Sequence, residues 1–184
     1  MESKGDAQKA MLKNSSKMEQ SFPLKLIRKE NNLPKRIRKV RGNHFKMLTT
    51  LYRDVDEIFS HINKFTACSK GCSSCCHIPV SISELEVRHI EKQTGIKAKI
   101  TSTPQNFHDQ PCPFLRDNAC SIYEHRPLVC RKHISFASTA YWCSIERCNE
   151  LDQQMLNLTG VNEAFEELRN SSGMGEIFDI RQKF

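Results

Sequence analysis

Nine cysteines lie between Cys68 and Cys148 and none lies elsewhere in the 184-residue chain. Four of them form a block, Cys68-x3-Cys72-x2-Cys75-Cys76, and Cys112, Cys120, Cys130, Cys143 and Cys148 follow. Thiolates are soft donors that suit zinc, copper(I) and iron–sulfur clusters. Ligands close in sequence are gathered at small entropic cost, and distant ones then close a site. All nine are therefore candidate metal ligands. If residues 68–76 were helical, the first and last sulfurs would be separated by about 12 Å along the axis. One tetrahedral ion with Zn–S near ~2.3 Å cannot span that. Gly71, Ser73 and Ser74 favour a coiled loop instead. Neighbouring Cys75 and Cys76 diverge in most backbone conformations, so two centres or one multinuclear cluster are alternatives.

Other side chains near the cysteines carry competing readings. His77 and His133 sit beside Cys76 and Cys130 and are alternative nitrogen ligands. Arg126 and Arg131 either offset the negative charge of a thiolate site or are solvated, with Pro127 initiating a helix. Tyr123 is a hydrogen-bonding neighbour of the site or a core residue. His44, His61, His89, His108 and His125 read as surface or core. A catalytic thiol needs a lowered pKa and a positioned base, and nine cysteines at ligand spacings point to coordination instead. No Gly-rich phosphate loop and no paired catalytic carboxylates are visible. An odd cysteine count leaves a pure disulfide framework one thiol short.

The stretches Cys68–Cys76, Cys112-Pro113-Phe114-Leu115 and Cys120-Ser121-Ile122-Tyr123-Glu124-His125-Arg126-Pro127-Leu128-Val129-Cys130-Arg131 resemble the YkgJ-type cysteine cluster family, a zinc- or iron-chelating domain. The resemblance covers roughly residues 65–148. It implies Cys68, Cys72, Cys75, Cys76, Cys112, Cys120 and Cys130 as ligands, completed by Cys143 or Cys148, and zinc or iron as cofactor, with a 4Fe-4S cluster as one form. Flagellin lysine N-methylases carry a similar cluster, and the Cys68-x3-Cys72-x2-Cys75 spacing is also that of radical S-adenosylmethionine enzymes. An iron–sulfur enzyme of protein methyl transfer is thus a second reading. This chain shows no strand–helix repeat for a barrel.

Positioning these loops falls to helices. Asn43 fits as the cap of a helix with apolar residues Phe45, Leu48, Leu51, Tyr52, Val55, Ile58, Phe59, Ile62 and Phe65, a stripe spaced by threes and fours. Ser81-Ile82-Ser83-Glu84 reads as a capping box opening a helix along Leu85, Val87 and Ile90, with Gly95 as its C-cap. Residues 101–113, with three prolines, read as a loop, and Pro127 as the first residue of a short helix containing Cys130. A last amphipathic stretch surrounds Val161, Phe165 and Leu168. No sheet is evident. The expected fold is mainly α with irregular cysteine-bearing loops, a small metal-stapled single domain.

Three regions follow: a basic arm over 1–42 without fixed structure, the cysteine-cluster domain with its leading helix over 43–150, and a helical extension over 151–184. Residues 1–46 hold thirteen Lys and Arg against four acids, the remainder fifteen against seventeen, which together give the net +7. A third reading is therefore binding of RNA, or of an acidic protein, through Arg28–Lys46. The N-terminus lacks an apolar signal core and no apolar run approaches ~18 residues, so a cytoplasmic location with reduced thiols and no membrane partner are expected.

Overall fold

The computed structural model describes residues 2–99, 107, 110–144, 146–153 and 156–184. Most of residues 101–109, including His108, lie outside the described residues. Helix α4, His44–Ile62, is the central element, capped by the Asn43 side chain, which accepts from the Lys46 amide at 3.1 Å. Its buried face carries Leu48, Leu51, Tyr52, Val55, Ile58, Phe59 and Ile62, the stripe expected from the spacing, with Phe45 and Phe65 half-buried at its ends.

The arm expected to lack structure is instead three helices: α1 (Lys4–Ser21), α2 (Leu24–Asn31) and α3 (Leu33–Arg38). Helix α1 buries Ala7, Met11, Ser15 and Met18, a stripe at intervals of four, four and three that a lysine-rich composition hides. The Asn14 side chain donates to the Phe136 carbonyl at 2.9 Å, and Gln8 exchanges hydrogen bonds with the Asp152 backbone. This helix is held by tertiary contacts rather than by its own propensity. Helices α3 and α4 both pack on α7, Thr159–Ser171. Gly160 is required where α7 meets α2, because a Cβ there would lie 2.1 Å from the Glu30 carbonyl oxygen. The buried Glu30 carboxylate accepts from the Gly160 and Val161 amides at 2.6 and 3.2 Å, satisfying the first turn of α7 with a negative charge at its positive end.

A second, smaller core contains Val80, Ile82, Val87, Ile90, Phe114, Ile122, Ile180 and Phe184. Here two short antiparallel ladders appear that periodicity did not reveal. Strand β1 (Ser81–Ser83) pairs with β4 (Ile177–Asp179) in the register Ser81↔Asp179, Ile82↔Phe178 and Ser83↔Ile177. Strands β2 (Leu115–Arg116) and β3 (Ala119–Cys120) are joined by Asp117-Asn118, both at positive φ, as a two-residue hairpin turn demands. Because β1 occupies Ser81–Ser83, the capping box of α5 (Glu84–Thr94) forms two residues later than expected, from Ser83 and Glu86, while Gly95 closes the helix at φ 76° as read. Pro127 caps α6 (Leu128–Lys132) one residue outside its first turn. The chain ends in α8, Ile180–Lys183, with Asp179 and Gln182 as its own capping box.

The two cores meet at a buried polar joint. Glu86 accepts from the Tyr52 hydroxyl of α4 at 2.8 Å, from the Leu128 amide of α6 at 2.8 Å and from the Ser83 amide at 2.9 Å. One carboxylate thus ties three helices together. Beside it His89 is buried, edge-on to Tyr52, and its Nδ1 has no hydrogen-bond partner among the described residues.

Two outcomes follow. Gly160→Ala should lower the urea-derived unfolding free energy by at least about 2 kcal/mol, the cost of overpacking a rigid contact, and an unchanged midpoint would show that α2 does not seat on α7. Burial holds the His89 imidazole down to about 4, below the ordinary value near 6.5 that applies to the unfolded chain. The unfolded state therefore takes up the proton first, and stability falls as pH drops from about 6.5 to about 4, by on the order of 3 kcal/mol in total. Urea melts of the protein and of His89→Phe across that window measure it; a variant as acid-sensitive as the parent would refute the assignment.

Candidate metal centre

Residues 68–76 coil as the glycine and serines suggested. Gly71 takes φ 97° and Ser74–His77 form a single 3₁₀ turn, so the block wraps instead of running along a helix axis. The hairpin β2–β3 then brings Cys120 back towards Cys112, whose amide donates to the Cys76 carbonyl at 2.7 Å. Helix α6 supplies Cys130. These folds gather Cys68, Cys72, Cys75, Cys76, Cys112, Cys120 and Cys130, all free thiols, around one cavity of about 110 Å3. Cys112, Cys120 and Cys130 also pack against the smaller core.

Cys143 and Cys148 are not in that wall. Cys143 ends the 3₁₀ turn Ala140–Cys143, which packs on the Ser74–His77 turn, and its sulfur is an electrostatic neighbour of Cys68, Cys72, Cys75 and Cys148. Ser135 lies between the two groups: its amide donates to Cys68 Sγ at 3.4 Å, and its side chain hydrogen-bonds Cys143. Cys76 and Cys130, by contrast, interact chiefly with Cys75, Cys112 and Cys120. The thiols thus form two overlapping neighbourhoods with Cys75 common to both. As the side chains lie, no group of three donors among the described residues is close enough to share an ion; they converge on a cavity rather than on a point.

Burial raises most of these thiols: Cys68 to about 11, and Cys112, Cys120, Cys130 and Cys143 also upward. The pair Cys75–Cys76 differs. A hydrogen bond from the Cys76 thiol holds Cys75 down at about 7, with the Arg126 guanidinium acting in the same direction, and Cys76 is raised in return. Half-buried soft sulfurs, several of them resisting ionisation without a cation, suit a thiophilic metal, which would supply the missing positive charge. The donor set fits zinc or iron.

The two arginines have separate roles. Arg126 lines the cavity with its guanidinium 3.7 Å from the Tyr123 ring centroid, and its Nε finds no partner among the described residues. Arg131 is not solvated; it is 3% exposed, stacks on Tyr52 at 4.2 Å and donates to the Arg126 and Glu124 carbonyls at 2.9 and 2.6 Å and to Asp56. Tyr123 is half-buried in the cavity wall and not in the core. His133 lines the cavity, its imidazole pKa lowered by burial, whereas His77 does not line it.

One positioning residue was missed. Arg181 of α8 donates to the Cys76, Ile78 and Gln110 carbonyls at 3.2, 3.0 and 2.9 Å, pinning the cysteine block from the far end of the chain. The capping box Asp179-x-x-Gln182 was a readable sign of the turn that aims it, but nothing local tells which loop it reaches.

Residues 67–155 match the family model CxxCxxCC, described as "Putative zinc- or iron-chelating domain". No curated protein and no solved structure matches the chain. The matched segment contains all nine cysteines, while α1–α3 and the closing β4–α8 unit lie outside it. The cysteine-bearing segment 67–155, a little under half of the chain, is thus similar to the CxxCxxCC family, whose model is described as a zinc- or iron-chelating domain.

Proposed function

We propose that this protein binds zinc or iron through its cysteine cluster and uses the metal to hold or handle, without turnover of its own. The observation that carries this reading is the gathering of seven thiols, from three separate chain segments, around one cavity. Cys76, Cys112, Cys120 and Cys130 form one ligand group and Cys68, Cys72 and Cys143 the other, with Cys75 between them and Cys148 beside Cys143. Their overlap supports more than one metal atom. His133 is the nitrogen donor nearest to hand. When bound, the metal would supply the positive charge that these half-buried sulfurs lack; Arg126 offsets part of the thiolate charge, and Arg131 and Arg181 hold the loops that present the ligands. Reduced thiols suit a cytoplasmic location. No helix among the described residues is long and apolar enough to cross a membrane.

Elemental analysis of anaerobically isolated protein should find stoichiometric zinc or iron, and a brown protein absorbing near ~400 nm would identify an iron–sulfur form. Cys72→Ser and Cys130→Ser, one from each neighbourhood, should each release metal and lower the melting temperature by more than about 5 °C, because metal binding and folding share one free energy. Full metal content and an unchanged melting temperature in both variants would falsify the ligand assignment.

A further inference from the structure

The N-terminal helices fold back on α4 and build a second concave feature that owes nothing to the cysteines. Arg36, Lys39 and Arg41, from α3 and the turn after it, face Lys46 and Arg53 of α4 across a groove of about 430 Å3, with Thr50 in its wall. Arg53 was not part of the basic run read from the sequence; only the packing of α3 on α4 brings it in. Arg36 is ion-paired with the buried Asp54 at 2.6 Å. Lys39, Arg41, Lys46 and Arg53 have no carboxylate within ion-pair distance among the described residues, and all four are exposed. The first turn of α4, beginning at His44, adds the partial positive charge of a helix N-terminus.

Four unneutralised cations held around one groove form a preorganised site for a polyanion. Val40 and Thr50, the uncharged lining residues, are half-buried and small. No aromatic ring is present to stack a base, and no large apolar side chain is present to build the dehydrated centre that a protein interface requires. The groove is shallow and wide open to solvent, and a chain of regularly spaced phosphates can lie along it.

We propose that this groove binds the sugar–phosphate backbone of a nucleic acid, through ionic contacts of Lys39, Arg41, Lys46 and Arg53 that carry no base sequence. Such contacts position a strand without specifying it.

Fluorescence anisotropy of the full-length, metal-replete protein with labelled single-stranded RNA and with duplex DNA tests this across a range of salt. Binding should weaken steeply with salt, with a log–log slope near −3 for about four contacts on a single strand. Lys39→Gln/Arg41→Gln/Arg53→Gln should reduce affinity at least about tenfold at moderate salt and make the slope shallower by about 2, while melting temperature and metal content stay at parental values. Lys9→Gln/Lys13→Gln/Lys17→Gln removes the same charge from the exposed side of α1 and should leave affinity within about twofold, since dispersed distant charges are screened. Equal losses in both triple variants would mean that net charge alone is responsible and would overturn the groove. So would absence of binding to either nucleic acid at low salt, or binding to phosphatidylserine vesicles with none to the oligonucleotides. Loss of metal in Cys72→Ser with oligonucleotide binding intact would separate this groove from the fate of the metal reading.

Discussion

The cysteine-bearing loops have little regular secondary structure, and a chain in that condition would ordinarily lose its shape to backbone entropy. Two buried guanidinium groups oppose this. Arg131 reaches the Glu124 and Arg126 carbonyls from one side, and Arg181 reaches the Cys76, Ile78 and Gln110 carbonyls from the other. A planar fork with five fixed donors suits such work, because one side chain can satisfy several loop carbonyls that lack a ladder partner. Each arginine is anchored in turn, Arg131 by Asp56 and the Tyr52 ring, Arg181 by Asp179. The walls of the thiol cavity are therefore tied to α4 at one end and to α8 at the other.

This scaffolding gives the buried Glu86 a matching role. Its carboxylate is raised by burial yet accepts hydrogen bonds from Tyr52, Ser83 and Leu128, so it joins the helical core to the smaller core in which Cys112, Cys120 and Cys130 are packed. A buried acceptor saturated by donors from three elements fixes their mutual orientation, since any shift would leave a polar group unsatisfied in a medium of low dielectric. The same logic recurs at Glu30 under the first turn of α7. Buried carboxylates align the helices, and buried arginines secure the loops.

The distribution of charge separates two surfaces. Cation excess is confined to residues 1–46, where it becomes a groove because α1–α3 are packed rather than loose. At the thiol cavity, Arg126 adds positive charge locally beside Cys75. The two features share no lining residue.

Much of the site was written in the sequence. Candidate ligands follow from residue type, and Gly71, Ser73 and Ser74 favour a coiled loop over 68–76, because neither depends on what lies opposite. The α4 stripe, the Asn43 and Gly95 caps and helix α7 around Val161, Phe165 and Leu168 were likewise local patterns of period and capping. The N-terminal helices were not legible, since a stripe of Ala7, Met11, Ser15 and Met18 is too weak to hold alone and forms against residues well over a hundred positions away. Nor was the β1–β4 ladder, whose three-residue strands are separated by some ninety residues. Tertiary structure alone decided that Arg131 is buried and Arg126 faces the sulfurs, that Arg181 clasps the Cys76 loop, and that Arg53 joins the basic groove. In each case the partner is distant in the chain, and the direction of a long side chain is set by whatever carbonyl, ring or carboxylate the fold places within its reach.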